Sequence, residues 1–259
     1  MDAAGLLHGF RLIALDTVGS TNDEAGRLAG EGASEGTLVR ARRQTAGRGR
    51  LGRTWISEAG NLYFSMVLRP GCRLGQAGQI GFVAANAVAD AVAEALPGTV
   101  AVGCKWPNDV LAAGRKVSGM LLESEVDGAG DLQWLILGIG INVENHPENA
   151  RFPATSLRAC GAGCDISADT VLETFCRRFR AGYAEWLRDG FEPVRKAWLA
   201  RAVGRGKDIR ARLASATVEG VFEDVDAGGA LVVRGADGTL TTVNAGDVFF
   251  PETPPSAGE

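Results

Sequence analysis

Arg-Ala-Arg-Arg-Gln-Thr-Ala-Gly-Arg-Gly-Arg-Leu-Gly-Arg-Thr-Trp, residues 40–55, is followed five residues later by Asn-Leu-Tyr-Phe-Ser-Met-Val-Leu, residues 61–68. The second stretch decides how the first is read. Gly47-x-Gly49-x-x-Gly52 matches a dinucleotide fingerprint, and Gly47 to Thr54 is one residue from a phosphate-binding P-loop. Both motifs need a helix to open directly after the glycines, because its N-terminal amides and dipole hold the phosphate. Here the chain continues as an apolar, aromatic and branched run, which reads as a strand. A P-loop also needs Lys where Arg53 stands. Both motifs are therefore excluded. What remains is a glycine-jointed loop with six arginines in sixteen residues, on a chain whose 27 Lys+Arg are outnumbered by 31 Asp+Glu. Such a loop fits an anionic small molecule held beneath it; a solvated arginine-rich turn touching nucleic acid is the alternative.

At 259 residues the chain is long enough for one large domain and one small one. It is 46% hydrophobic and 22% charged, ordinary globular values that permit a full core. Its formal net charge of −4 argues against a general nucleic-acid binder. No basic-plus-apolar leader pattern opens the sequence, and no run of apolar residues is long enough to span a membrane, so a cytoplasmic protein is expected. The five cysteines are odd in number and scattered, and only His8 and His146 accompany them. Free thiols are expected, rather than disulfides or a zinc site.

In chain order, Phe10 to Leu15 reads as a strand. Ser20 and Thr21 stand three before Asp23 and Glu24, spacings that predict a capped helix running to about Gly30. The same two residues are then candidates either for plain capping or for ligand contacts. Thr37 to Ala41 leads into the arginine loop as a strand, and Leu62 to Leu68 leaves it as another. Ala77 to Leu96 is alanine-rich and proline-free before Pro97-Gly98, which predicts a helix. Thr99 to Lys105 predicts a strand, and Val110-Leu111 with Lys116 to Val126 a hairpin around residues 113–115. Leu132 to Val143 is apolar enough to lie mid-sheet, with Gly138 and Gly140 marking close approach of a ligand or backbone. Two helices follow, over Ser167 to Arg188 and Phe191 to Arg201. Val171, Leu172, Phe175, Phe179, Tyr183 and Trp186 recur at three- and four-residue steps as one buried face. From Lys207 to Phe250, four or five short alternating strands suit a small β-barrel, and the tail from Pro251 is expected to be disordered. The domain boundary is expected near Gly204, dividing residues 1–203 from 204–259.

Four separated stretches agree with one another: Gly-Ser-Thr-Asn at 19–22, Gln-Thr-Ala-Gly-Arg-Gly-Arg-Leu-Gly-Arg-Thr-Trp at 44–55, Lys-Trp-Pro-Asn-Asp at 105–109 with Lys-Val-Ser-Gly-Met-Leu-Leu-Glu at 116–123, and Gly-Ile-Gly-Ile-Asn-Val at 138–143. In this order the chain, from about Phe10 to Phe250, resembles the biotin protein ligases, which act on acetyl-CoA carboxylase. The resemblance implies an α/β (α+β) fold: a mixed-sheet catalytic domain of the biotin/lipoate ligase type and an SH3-like C-terminal barrel. It implies that the biotin carboxylate attacks the α-phosphate of ATP, with Mg²⁺, and that the resulting biotinyl-5′-AMP acylates a lysine of a biotin carboxyl carrier protein. A lipoate or octanoyl ligase would use the same adenylate chemistry, and a non-catalytic RNA-binding module is the reading from another class.

Carried over residue by residue, the resemblance assigns Ser20, Thr21, Asn22 and Gln44 to biotin's ureido end. Arg48, Gly49 and Arg50 would form a loop closing on both biotin and the adenylate. Lys116 would bridge biotin's carboxylate and the α-phosphate as the main catalytic residue, supported by Arg50; a solvated hairpin lysine is its plainer reading. Gly138 and Gly140 would let biotin approach the strand. Trp55 would stack the adenine, or else be a core tryptophan, and Asn142 would join the ATP site. Asn108 and Asp109 would orient the phosphates or Mg²⁺, which is held largely by substrate oxygens. About nine residues precede the first strand, too few for the DNA-binding domain some relatives carry, so a monofunctional ligase, monomeric or homodimeric, is expected. All four motif stretches end before Gly204, so the C-terminal piece is expected to lie outside the pocket. The six arginines are expected to repel one another and leave their loop disordered until an anion binds.

Overall fold

The computed structural model describes residues 5–127, 130–148, 152–213 and 216–250; the tail expected to be disordered lies outside them. An eight-stranded mixed sheet is built from β1 (Gly5–Leu7), β2 (Phe10–Val18), β3 (Thr37–Gln44), β4 (Leu62–Leu68), β5 (Val102–Lys105), β6 (Asp109–Ala112), β7 (Arg115–Val126) and β8 (Leu132–Ile141). Their order across the sheet is β1-β2-β3-β4-β8-β7-β6-β5. β2 and β3 run parallel through the crossover helix α1 (Thr21–Gly30); the other neighbouring pairs are antiparallel.

β4 and β8 lie side by side at the middle of the sheet, and their alternation sorts the two faces. Leu62, Phe64, Met66 and Leu68 on β4, with Leu135, Leu137, Ile139 and Ile141 on β8, turn into the main core. There they meet α2 (Leu74–Ala95), α3 (Ala168–Asp189) and α4 (Phe191–Leu199). The stripe expected on α3 is present: Phe175, Phe179, Tyr183 and Trp186 stack in succession, with ring centroids 5.4, 5.5 and 5.8 Å apart. On the other face Val67 and Ile136 pack with Ala25 and Ala29 of α1. Beyond that patch this face is lined by Ser65, Gly138 and Gly140, which leaves room above the sheet.

The C-terminal region forms a five-stranded antiparallel sheet ordered β12-β11-β10-β9-β13, from β9 (Asp208–Arg212), β10 (Thr217–Val225), β11 (Leu231–Arg234), β12 (Leu240–Val243) and β13 (Asp247–Phe249). It shares core with the larger sheet's helices: Phe222 lies 6.5 Å from Trp198, ring to ring. Several boundaries differ from the sequence reading: β2 runs on to Val18, β5 starts only at Val102, β8 stops at Ile141 and α4 at Leu199. The β1–β2 hairpin was not foreseen because β1 has only three residues. β3 extends to Gln44, since pairing with β2 outweighs the polar composition of its end. α2 begins at Leu74, three residues earlier than expected.

Candidate functional site

The space over the central strands is a cavity of about 560 Å³. Every residue that the sequence singled out for binding or catalysis lines it: Ser20, Thr21, Asn22, Gln44, Arg48, Gly49, Arg50, Trp55, Asn108, Asp109, Lys116, Gly138, Gly140 and Asn142. The cavity has two chemically distinct ends.

One end is neutral and polar. Ser20 caps α1, its Oγ accepting from Asn22 N at 3.3 Å, so capping and cavity lining coincide. Thr21 donates from N and Oγ1 to Gln44 Oε1 at 2.8 and 3.1 Å, and Gln44 Nε2 donates to Ser57 Oγ at 2.9 Å. Ser65 Oγ sits 2.8 Å from Thr21 Oγ1 and 2.5 Å from Asn22 Oδ1, while Asn22 Nδ2 donates to Glu123 Oε2 at 2.6 Å. Ser20, Thr21, Asn22 and Ser65 are all buried, so this is a fixed hydrogen-bonding surface inside the fold. Ser65 and Glu123 escaped the sequence reading; the alternation of β4 and β7 could have placed both on the face of Gly138 and Gly140.

The glycines of β8 are required by what lies over them. A Cβ on Gly138 would stand 1.9 Å from Asn22 Oδ1, and one on Gly140 would stand 2.5 Å from the Trp55 ring. Trp55 thus lies flat against Gly140 and Gly119, half-buried, neither free for solvent nor part of the main core.

The arginine loop folds back on itself. Trp55 N donates to Gly47 O at 2.9 Å and Gly49 N to Arg53 O at 2.6 Å. Leu51 and Gly52 take φ of 57° and 70°; the latter is the conformation glycine allows without strain. The repulsion expected among the arginines is corrected by carboxylates brought from elsewhere. Arg48 forms two 2.7 Å bonds to Asp23 and approaches Glu123 at 3.3 Å. This holds the Asp23 carboxyl below its ordinary range. Arg40 pairs with Asp169, and Arg53 with Asp247.

The other end is charged. Lys116, on β7, holds Nζ 2.6 Å from Asp109 Oδ1 and 5.3 Å from the centre of the Trp55 ring. The approach to Asp109 lacks hydrogen-bond geometry, so charge alone holds the pair. Arg50 Nη1 lies 3.3 Å from both Asn108 Oδ1 and Gly246 O. Burial pushes the Arg50 pKa down, against the pull of Asp247 and Asp109. Asn108 Nδ2 donates to Met120 O at 2.6 Å, and Asn142 Nδ2 to Thr155 O at 2.9 Å. Both asparagines therefore spend donors on backbone. Lys105, Phe152, Asp247 and Val248 also line the cavity. Asp247 and Val248 overturn the expectation that the C-terminal piece stays clear of the pocket. Nothing in the alternating pattern of those short strands could have shown that their last turn reaches the arginine loop.

Among the described residues no three His, Cys, Asp or Glu side chains gather as a metal cluster. With Asn108 Oδ1 already accepting from Arg50, Asp109 is the carboxylate at this end that a phosphate-borne Mg²⁺ would meet. That fits an ion held mainly by substrate oxygens. The five cysteines are free thiols, and no described helix is long and apolar enough to cross a membrane.

Residues 17–142 match the biotin/lipoate A/B protein ligase family, and residues 205–250 match the biotin protein ligase C-terminal domain. The chain is similar to the biotin–[acetyl-CoA-carboxylase] ligase of Paracoccus denitrificans, 41% identical over 89% of this chain and 97% of that protein. It is also 33% identical to the Mycobacterium tuberculosis enzyme of the same name, over 89% and 85% of the two chains. Among solved structures it resembles the Aquifex aeolicus biotin protein ligase in complex with biotin and ATP. The TM-score is 0.76 at 31% identity, covering 92% of this chain and 97% of that one.

Proposed function

The chain belongs to the biotin protein ligase family, and we infer from this and from its cavity that it is an ATP-dependent biotin–[biotin carboxyl-carrier protein] ligase. The observation that carries the reading is the cavity's division into a buried neutral hydrogen-bonding end and a cationic end. Biotin has that polarity, with a ureido ring at one end and a carboxylate at the other.

Ser20, Thr21, Asn22 and Gln44 line the end that would take the ureido group, with Ser65 bracing Thr21 and Asn22 from behind. Gly138 and Gly140 keep the floor open, and Trp55 covers the chain between the two ends. A lipoyl or octanoyl group carries no ureido donors or acceptors for the polar end of the cavity, and a site built to hydrogen-bond its ligand rejects analogues that lack those groups. That argues against the lipoate reading.

Lys116 and Arg50 bring fixed positive charge to where two anions must meet, biotin's carboxylate and the α-phosphate. A carboxylate oxygen bonds to the α-phosphorus, the bond from that phosphorus to the bridging oxygen breaks, and pyrophosphate leaves. In the second step a carrier lysine's amine attacks the anhydride carbonyl, the carbon–oxygen bond to AMP breaks, and the amine gives up a proton. Mg²⁺ arriving with ATP would neutralise phosphate charge beside Asp109. Arg48 and Gly49 with Arg50 form the lid, and Asn108 and Asn142 position the walls of the ATP end through Met120 and Thr155. The reaction belongs to the cytoplasm, with residues 1–203 as the catalytic unit and 204–259 as a second unit that closes the ATP end.

Biotin-dependent exchange of pyrophosphate into ATP, followed by mass measurement of a carrier domain, tests the reading. Exchange and a biotinyl mass increment are expected. Exchange driven by lipoate or octanoate instead of biotin would overturn it.

A further inference from the structure

We propose that Glu123, which does not itself line the cavity, is a positioning residue. It sets the direction of the hydrogen bonds at the neutral end and so selects a ligand bearing N–H donors, an inference that rests on the ligase reading above. Glu123 sits on β7 opposite Ile136 of β8. Its Oε2 accepts from Asn22 Nδ2 at 2.6 Å, and its Oε1 lies 3.3 Å from Arg48 Nη2. Arg48 makes two shorter bonds to Asp23, the residue after Asn22. The Asn22 link is thus the stronger of the two that Glu123 makes.

One acceptor-only group orders a whole chain of bonds. A carboxylate admits only the amino side of the Asn22 amide, which turns Oδ1 toward Ser65 and over Gly138. An amide oxygen also only accepts, so Ser65 spends its single proton on it, at 2.5 Å. The 2.8 Å contact between the Ser65 and Thr21 hydroxyls is then made with the Thr21 proton, Ser65 Oγ accepting. Thr21 shares that proton with Gln44 Oε1 at 3.1 Å, in a three-centre bond. Its proton is therefore spent inside the protein. Thr21 lines the cavity, and its hydroxyl oxygen remains there as an acceptor. A ureido ring carries two N–H groups, either of which can donate to it.

Glu123→Gln keeps the shape and removes the constraint. A glutamine can donate, so the Asn22 amide is free to turn over. Ser65 then accepts from Asn22 and gives its proton to Thr21, whose own hydroxyl is released to donate into the cavity. Both hydrogen-bond polarities become available where wild type offers one.

The probes are biotin and its two cyclic carbamate analogues, each with one ring N–H replaced by oxygen. An oxygen at Thr21 would set lone pair against lone pair in wild type and would accept a bond in the variant. By isothermal titration, the full wild-type chain should prefer biotin to at least one analogue by about tenfold or more, the size expected for leaving a buried polar group unpaired. In Glu123→Gln that preference should shrink to about threefold or less. Ser65→Ala removes the link between Asn22 and Thr21 and should erase the same preference. The double variant should lose no more than either single one, as expected of residues acting in one chain of bonds. A carboxylate with a merely structural role would weaken all three ligands alike and leave their ratio unchanged. The inference fails if the preference survives in Glu123→Gln, if the two single losses add, or if wild type binds both analogues as it binds biotin. A wild-type chain that binds no biotin would instead sink the ligase reading.

Discussion

Arg53 Nη1 lies 3.1 Å from Asp247 Oδ1, so the arginine loop of the large sheet is tied by charge to the first residue of the last strand of the small one. Asp247→Ala would leave Arg53 without this partner. Losing hydrogen bonds between charged groups costs about 1.5–3 kcal/mol, and solvent at the half-exposed Arg53 side favours the lower part of that range. Trypsin should then cut after Arg48, Arg50 or Arg53 faster than in wild type. Equal cleavage would mean that Arg48 and its carboxylates alone hold the loop. Truncation near Gly204 should weaken ATP binding for the same reason, yet leave the polar end, built wholly before Gly204, able to bind biotin.

Gly138→Ala tests the neutral end. The added methyl would stand 1.9 Å from Asn22 Oδ1, and Asn22 cannot yield cheaply because Ser65 and Glu123 hold both its polar atoms. Overpacking of this kind costs about 1–3 kcal/mol, roughly a ten- to hundredfold loss of biotin affinity. Isothermal titration with biotin would show it. A variant that binds biotin as wild type does would mean that Asn22 is not part of the biotin surface.

The elements were largely legible because each carries a local signal. The β4 and β8 runs are apolar almost throughout, as strands buried on both faces are, α3 repeats its aromatics every three or four residues, and Ser20 caps α1 through its own helix's amide. The candidate site was legible as a set of residue types, while its wiring was not. Glu123 answers Arg48 and Asn22 across 75 and 101 residues of sequence, and Asp247 answers Arg53 across 194. Such pairings are set by how strands stack across the sheet, and no local pattern encodes them. The expectation of mutual repulsion among the arginines overlooked these carboxylates for that reason: the loop's own sequence contains the arginines and none of their partners.

Lys116→Ala should nearly abolish adenylate formation. It removes the ammonium placed between Asp109 and the Trp55 ring at the cationic end. Loss of one preorganised group that stabilises developing charge is worth about 2.7–4 kcal/mol, a hundred- to thousandfold in rate. Biotin-dependent pyrophosphate exchange in the folded variant is the measurement. Exchange within about threefold of wild type would remove Lys116 from the reaction.

Arg50→Gly should separate the two half-reactions. Arg50 reaches from the loop to Asn108 on one side and to Gly246 of the C-terminal sheet on the other, so one guanidinium bridges the lid, the ATP wall and the second unit. Its surroundings already disfavour the charge by burial, which an anion in the cavity would offset. Without it the adenylate still forms, because Lys116 remains, but the lid loses its hold on the product and the mixed anhydride escapes sooner. Free biotinyl-5′-AMP acylates amines without regard to the carrier. Mixed with biotin, Mg-ATP and albumin, the variant should therefore label albumin more heavily than wild type does at comparable pyrophosphate release. Labelling no higher than wild type, with adenylate still being made, would show that the intermediate is retained by other contacts. The loop's hold would then rest on Arg48 with Asp23 and Glu123, and on Arg53 with Asp247.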